Sequence, residues 1–242
     1  MNVRNDFIGD IVGQDFRTAA IFKQNGIDFC CKGGRTIEEA CESKKLNAEA
    51  IYKAIEALPS KQGGSIDFNI FPLDLLADYI EKTHHRYADE KIPILQAFLE
   101  KLARVHGERH PELFKIRDLF TESAQDLAMH FKKEELILFP FIRNMVKAQL
   151  TGSELPNPTF GTVENPIAMM KDDHTVEGER FAEIAELTSG YNPPADACNT
   201  YKVTFAMLQE FEDDLHTHIH LENNILFPKA IELEHDLRTV QA

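Results

Sequence analysis

Two stretches of the chain carry the same chemistry. His130-Phe-Lys-Lys-Glu134-Glu-Leu-Ile-Leu-Phe-Pro140 and His218-Ile-His-Leu-Glu222-Asn-Asn-Ile-Leu-Phe-Pro228 both read as His, three residues, Glu, four residues, Phe-Pro. On an α-helix, residues i and i+4 lie one above the other, so each copy points an imidazole and a carboxylate at one spot. Inside a helical bundle, two such pairs make a nearly symmetric set of nitrogen and oxygen ligands. That set suits two iron ions bridged by carboxylates. Zinc is the poorer fit, since its sites are usually closed and cysteine-rich or have three protein ligands. The spacing is also not the Glu-x-x-His of ferritin-like sites.

The elements that must hold these pairs are legible in the pattern. Four long helical segments are predicted, at about 73–105, 111–146, 166–187 and 195–233, with Pro93 marking a kink or short break in the first. Short or Gly/Pro-rich connections separate them, and the arrangement expected is an all-α, up-down-up-down four-helix bundle over 73–242. Two apolar stripes, Leu127/His130/Glu134/Ile137/Phe141 and Phe211/Leu215/His218/Glu222/Ile225, place the polar pairs mid-stripe. Burying them without a partner would cost several kcal/mol, so a partner is demanded.

Helical arithmetic sorts the remaining histidines. Antiparallel neighbours are level when equally far from their turn, at a rise of about 1.5 Å per residue. His85 lies 23 residues before a turn near 108 and His130 lies 22 after it; His174 and His218 lie 19 before and 25 after a turn near 193. Four histidines and two glutamates therefore converge on one layer. His84 competes with His85 for that position, as neighbours point about 100° apart on a helix. His106 and His110 belong to a turn, His216 and His220 fall off the Phe-Pro alignment, and His235 lies near the chain end. Asp126 and Asp173 are placed either to orient an imidazole N–H or to face solvent. Glu135, rotated from Glu134, is expected to face solvent or a neighbouring helix.

Residues 1–58 form a separate small unit of three expected helices: about 10–24, one opened by the Thr36/Glu39 capping box, and about 48–58. Asn25-Gly26 should end the first with a left-handed residue. Cys30-Cys31 follow, and residues 59–72, with Gly63-Gly64, read as a linker. The adjacent thiols are candidates for transfer or redox chemistry, against the plainer reading of a packed cysteine. Cys41 is expected in the core and Cys198 to be inert.

Bulk composition excludes other classes. A net charge of −14 disfavours nucleic acid and anionic membrane surfaces as partners. No run reaches the roughly 18 apolar residues of a membrane span, so a soluble cytoplasmic protein with free thiols is expected.

These motifs together resemble a known family. Residues 73–242 look like a hemerythrin-like domain. Gly26-Ile-Asp-Phe-Cys30-Cys31-Lys-Gly-Gly and Glu39-Ala-Cys41 resemble the small domain fused ahead of it in iron-sulfur cluster repair di-iron proteins. The resemblance implies a cytoplasmic stress-response protein that restores clusters damaged by nitric oxide or peroxide. It implies two non-haem iron ions bridged by two glutamates, and oxo-bridged when oxidised. The partners implied are damaged iron-sulfur proteins, with nitric oxide or dioxygen as small ligands; a homodimer is compatible with it. The family's first histidine precedes a Val-His by 21 residues, as His85 precedes Val105-His106, and this selects His85 over His84. The metal ligands expected are thus His85, His130, Glu134, His174, His218 and Glu222. A rival expectation is a hemerythrin-type sensor or store that binds dioxygen or nitric oxide and repairs nothing.

Overall fold

The structure is a computed structural model that describes residues 3–58 and 66–241. Most of the expected linker, including Gly63-Gly64, lies outside the described residues. The described residues form helices and turns with no strand, as the periodicity predicts.

The small unit has four helices, one more than expected: α1 (Ile8–Gln14), α2 (Thr18–Gln24), α3 (Ile37–Lys44) and α4 (Ala48–Glu56). The stripe over 10–24 is broken because Asp15 leaves the helix in an extended conformation. Its carboxylate accepts from the Arg17 backbone and guanidinium, which starts a new turn. Gly26 takes the left-handed conformation foreseen (φ 63°), and the Thr36/Glu39 capping box forms in both directions.

The larger unit is built from α5 (Leu73–Ile80), α6 (Arg86–His106), α7 (Glu112–Lys133), α8 (Phe139–Thr151), α9 (Glu164–Leu187), α10 (Asn199–Leu221) and α11 (Phe227–Gln241). Helix α6 packs on α7 and α10, α7 on α9, and α8 on α5 and α11. Helix α6 runs on through Pro93 without a break. The irregularities lie elsewhere, in three π-helical turns: Glu81–His85 joining α5 to α6, Glu134–Leu138 joining α7 to α8, and Glu222–Leu226 joining α10 to α11. Two of them have a direct cause in the sequence. Pro140 and Pro228 lack an N–H and crowd the carbonyl four residues back. The widened turn ahead of each closes instead through Phe139 N–H to Glu134 O and Phe227 N–H to Glu222 O, five residues apart.

The π turn also moves the apolar stripe. Counting straight on from Glu134 puts Ile137 inside, but it is 49% exposed and Leu138 is buried. The inserted residue rotates the face by one position.

One apolar cluster joins the small unit's core to α6, α7, α9 and α10; a second fills the far half around α5, α8 and α11. The small unit therefore shares a core with the bundle. The polar layer of the two His-Glu pairs lies between the clusters, flanked by Leu127 and Phe131 in one and Leu138 and Phe139 in the other.

Candidate metal centre

All six expected ligands are brought into the layer, and all are buried. His85, Glu134, His218 and Glu222 form one group whose donor atoms lie within 4.8 Å of one another; His130, Glu134, His174 and Glu222 form a second. Each group therefore has two imidazoles, and the two glutamates are common to both. Glu134 and Glu222 are fully inaccessible to solvent, and none of their four carboxylate oxygens has a hydrogen-bond partner. Imidazole nitrogens approach to 3.1–3.3 Å: His85 and His130 to Glu134, His174 and His218 to Glu222. His85 Nε2 and His218 Nε2 are likewise buried and unpartnered.

The outward nitrogens are held from behind. His85 Nδ1–H donates to Glu135 Oε1 (2.8 Å), His174 Nδ1–H to Asn223 Oδ1 (3.0 Å), and His130 Nδ1 lies 3.3 Å from Asp173 Oδ2. Oxygen acceptors at Nδ1 leave Nε2 as the lone-pair nitrogen of a neutral ring, the tautomer a metal needs. His130 Nε2 and His174 Nε2 then stand 3.1 Å apart. Two lone pairs that close repel unless a proton or a cation lies between them.

Electrostatics agree. Burial opposes charge on His130, but the carboxylates of Glu134 and Asp173 outweigh it and hold its proton up to about 10. Burial also opposes charge on His85, which Glu134 again outweighs, raising it. Glu134 stays below the usual glutamate range against burial and the charge of Glu222, because His130 and His85 face it. Glu222 is lowered against burial by His174 in the same way. Burial and the neighbouring His85 drive His218 well below the ordinary range. Asp173 is held down to about 2 by its bonds to His130 and Lys133, burial notwithstanding. Charged carboxylates amid imidazoles, with orphaned oxygens and converging lone pairs, fit a bound cation; protons are its substitutes.

The neighbours of the six are set by packing between helices. Glu135 faces a neighbouring helix, one of its two expected orientations, and supports His85. Asn223 was not singled out, although it sits one residue past Glu222 as Glu135 sits past Glu134. Asp173 reaches an imidazole, whereas Asp126 pairs with Arg180 (2.8 Å). His84 is buried beside His85. His106 lies at the turn as expected, buried, 3.3 Å from Cys198 Sγ and outside both groups. His220 faces the small unit, against Phe16 and Phe29.

Cys30 and Cys31 lie outside both groups as well. With Asp28 they form a cluster of their own, Sγ to Sγ 3.7 Å. The Cys31 neighbour and burial push the Cys30 thiol well up. Cys31 Sγ rests 3.4 Å from the backbone oxygen of His174, over Gly178, where a Cβ would come within 3.2 Å of the sulfur. A cavity of about 290 Å³ between α7, α9 and α10 reaches the layer at His130, His174 and His218. No helix among the described residues is long and apolar enough to cross a membrane.

Comparison with known proteins defines the class. The family described as the hemerythrin HHE cation binding domain matches residues 77–230, and the domain of unknown function ScdA_N matches residues 4–59. The chain belongs to the hemerythrin HHE family, in the form that carries the ScdA_N unit ahead of it. Its relatives include the iron-sulfur cluster repair protein ScdA of Staphylococcus haemolyticus, 32% identical over 229 residues, 95% of this chain and 99% of that protein. The iron-sulfur cluster repair protein YtfE of Yersinia pestis is 32% identical over 231 residues, 96% and 99% of the two chains.

Proposed function

We propose that the chain holds two iron ions bridged by Glu134 and Glu222, and repairs iron-sulfur clusters damaged by nitrosative or oxidative stress. The observation that carries the two-ion reading is that both glutamates, buried and unpartnered, belong to both donor groups. His85 and His218 hold one ion, His130 and His174 the other. Repair rests on the names of relatives similar over nearly the whole chain.

When bound, iron supplies one-electron chemistry and open positions for small ligands. The chain supplies the rest. Glu135, Asn223 and Asp173 fix the imidazoles, and the apolar clusters keep bulk water from the layer. The cavity at His130 and His174 gives a small molecule access, which favours a second reading, reversible binding of nitric oxide or dioxygen. Cys30 and Cys31 provide soft ligands beside His174, suited to passing iron between the layer and a damaged cluster protein. The four cysteines are unpaired, the state a reducing cytoplasm maintains.

Metal analysis of the purified protein should give two irons per chain, with near-ultraviolet absorption from the oxidised pair. A repair protein should pass iron to an apo-cluster protein within minutes, whereas a carrier keeps it. Replacing Cys30 and Cys31 together by Ser should leave the iron content intact and slow that transfer. One iron or zinc per chain would refute the two-ion reading, and iron retention would favour the carrier.

A further inference from the structure

The polar layer has a fifth imidazole that neither donor group uses. His84 is 4% exposed and shares the Glu81–His85 π turn with His85. Its Nδ1–H donates to Asp214 Oδ1 (3.0 Å), and its Nε2 is buried with no partner. Its ring lies parallel to that of His218, 11° between planes and 6.0 Å between centroids, with the Tyr79 ring edge-on at 5.8 Å.

This arrangement repeats what the group imidazoles show. His85, His130 and His174 each turn Nδ1 to an oxygen acceptor and leave Nε2 for the centre. A carboxylate at Nδ1 fixes the tautomer, so Nε2 of a neutral His84 is an acceptor with a free lone pair. A histidine kept only for packing would have that nitrogen satisfied or its place taken by an apolar ring. Asp214 lies one turn before His218 on α10, so the support for His84 comes from the helix that carries the neighbouring ligand.

We propose that His84 is a reserve ligand for the iron held by His85 and His218, with Asp214 as its positioning residue. It lies outside the set of atoms within 4.8 Å of one another, so it engages when that iron shifts, as when a bridging carboxylate lets go. Among the described residues no equivalent imidazole stands behind His130 and His174; the cavity reaches the layer at His130, His174 and His218. The two halves of the centre are thereby unequal: one iron keeps an extra nitrogen within reach, and the other does not. This inference rests on the two-ion reading.

The test uses the full chain loaded with ferrous iron. His84→Phe keeps a ring against His218 and removes both nitrogens; Asp214→Asn keeps the shape and removes the carboxylate. Iron content, a Mössbauer spectrum and chelator competition are read on each, with a melting curve as a check on folding. Wild type should hold two irons with distinct quadrupole doublets. His84→Phe should leave both resting doublets in place and speed chelator removal of one iron by about 10- to 100-fold, and Asp214→Asn should speed removal of the same iron by less. Should His84→Phe fail to fold, the Asp214→Asn result decides. Wild-type rates of iron removal in the folded variants would overturn the inference alone, as would an equal speeding for both irons or a changed resting doublet. A wild-type chain holding one ion would overturn the two-ion reading and the inference with it.

Discussion

The two His-x3-Glu-x4-Phe-Pro copies make the same turn and meet different surroundings. In both, a π turn ahead of the proline carries the glutamate inward, and the next residue supports a histidine on another helix: Glu135 for His85, Asn223 for His174. There the likeness ends. The first copy presents Leu136 and Ile137 to the outside, whereas Ile225, the counterpart of Ile137, is 2% exposed. The difference is the small unit. Asn223 Nδ2 donates to Cys30 O (3.3 Å) and Asn224 Nδ2 to Phe29 O (3.2 Å), while α1 packs against the second turn. Gly9 makes this approach possible, as a Cβ there would come within 2.6 Å of Asn224 Oδ1. Asn223 thus touches both the polar layer and the thiol loop, and Glu135 touches only the layer. Duplication of a motif conserves what its own helix dictates, and a single docked element can give one copy a second task.

Replacing either of the two glutamates common to both donor groups should have the largest effect, and an equal one in the two copies. Glu134→Ala and Glu222→Ala each remove a donor from both groups, so on the proposed two-ion reading iron should fall below one ion per chain by metal analysis. A variant that keeps one full site would show that the carboxylates are not shared.

Docking is specific to the second copy. Gly33→Ala would put a Cβ within 2.5 Å of Phe29 O and 3.1 Å of Asn224 Oδ1. It should destabilise the protein by about 1–3 kcal/mol in urea unfolding, since overpacked backbone contacts relax poorly. Wild-type stability in this variant would mean that the Cys-Cys loop is held elsewhere.

Glu135→Ala and Asn223→Ala should each weaken iron binding by about tenfold in chelator competition, the lower end for a residue that orients a ligand. Only Asn223→Ala should also raise protease cleavage in the small unit, through loss of the Cys30 contact. Equal cleavage in both variants would erase the distinction drawn between the copies.

The smallest change is expected at Leu136→Asn, which gives the first copy the residue found at the second. With no element docked there, stability should move by less than about 0.5 kcal/mol. A larger shift in the unfolding midpoint would indicate that the open copy has a cover of its own.

The convergence of the six side chains on one layer was legible because its information is local. A His and a Glu one turn apart share a face on any helix, and stripes such as Phe211/Leu215/His218 say which way the face points. The capping box at Thr36 and the left-handed Gly26 were readable for the same reason. The π turns were half-legible: Pro140 and Pro228 announce a lost hydrogen bond, but not whether the helix kinks, ends or widens. At Pro93 the same signal left α6 helical, and the π turn at Glu81–His85 has no proline at all.

What the sequence alone determined, then, is the chemistry: which side chains can bind, at what spacing, on which kind of element. What only the tertiary structure decided is who faces whom. The use of both glutamates by both groups, the support of His85 by Glu135 and of His174 by Asn223, and the burial of His84 against Asp214 all cross between helices. So does the seat of Cys31 on the His174 carbonyl. A helix fixes its own angles through hydrogen bonds four residues apart. The rotation of one helix against another is set by the summed packing of many side chains far apart in the chain. One inserted residue in a π turn is enough to replace Ile137 by Leu138 in the core.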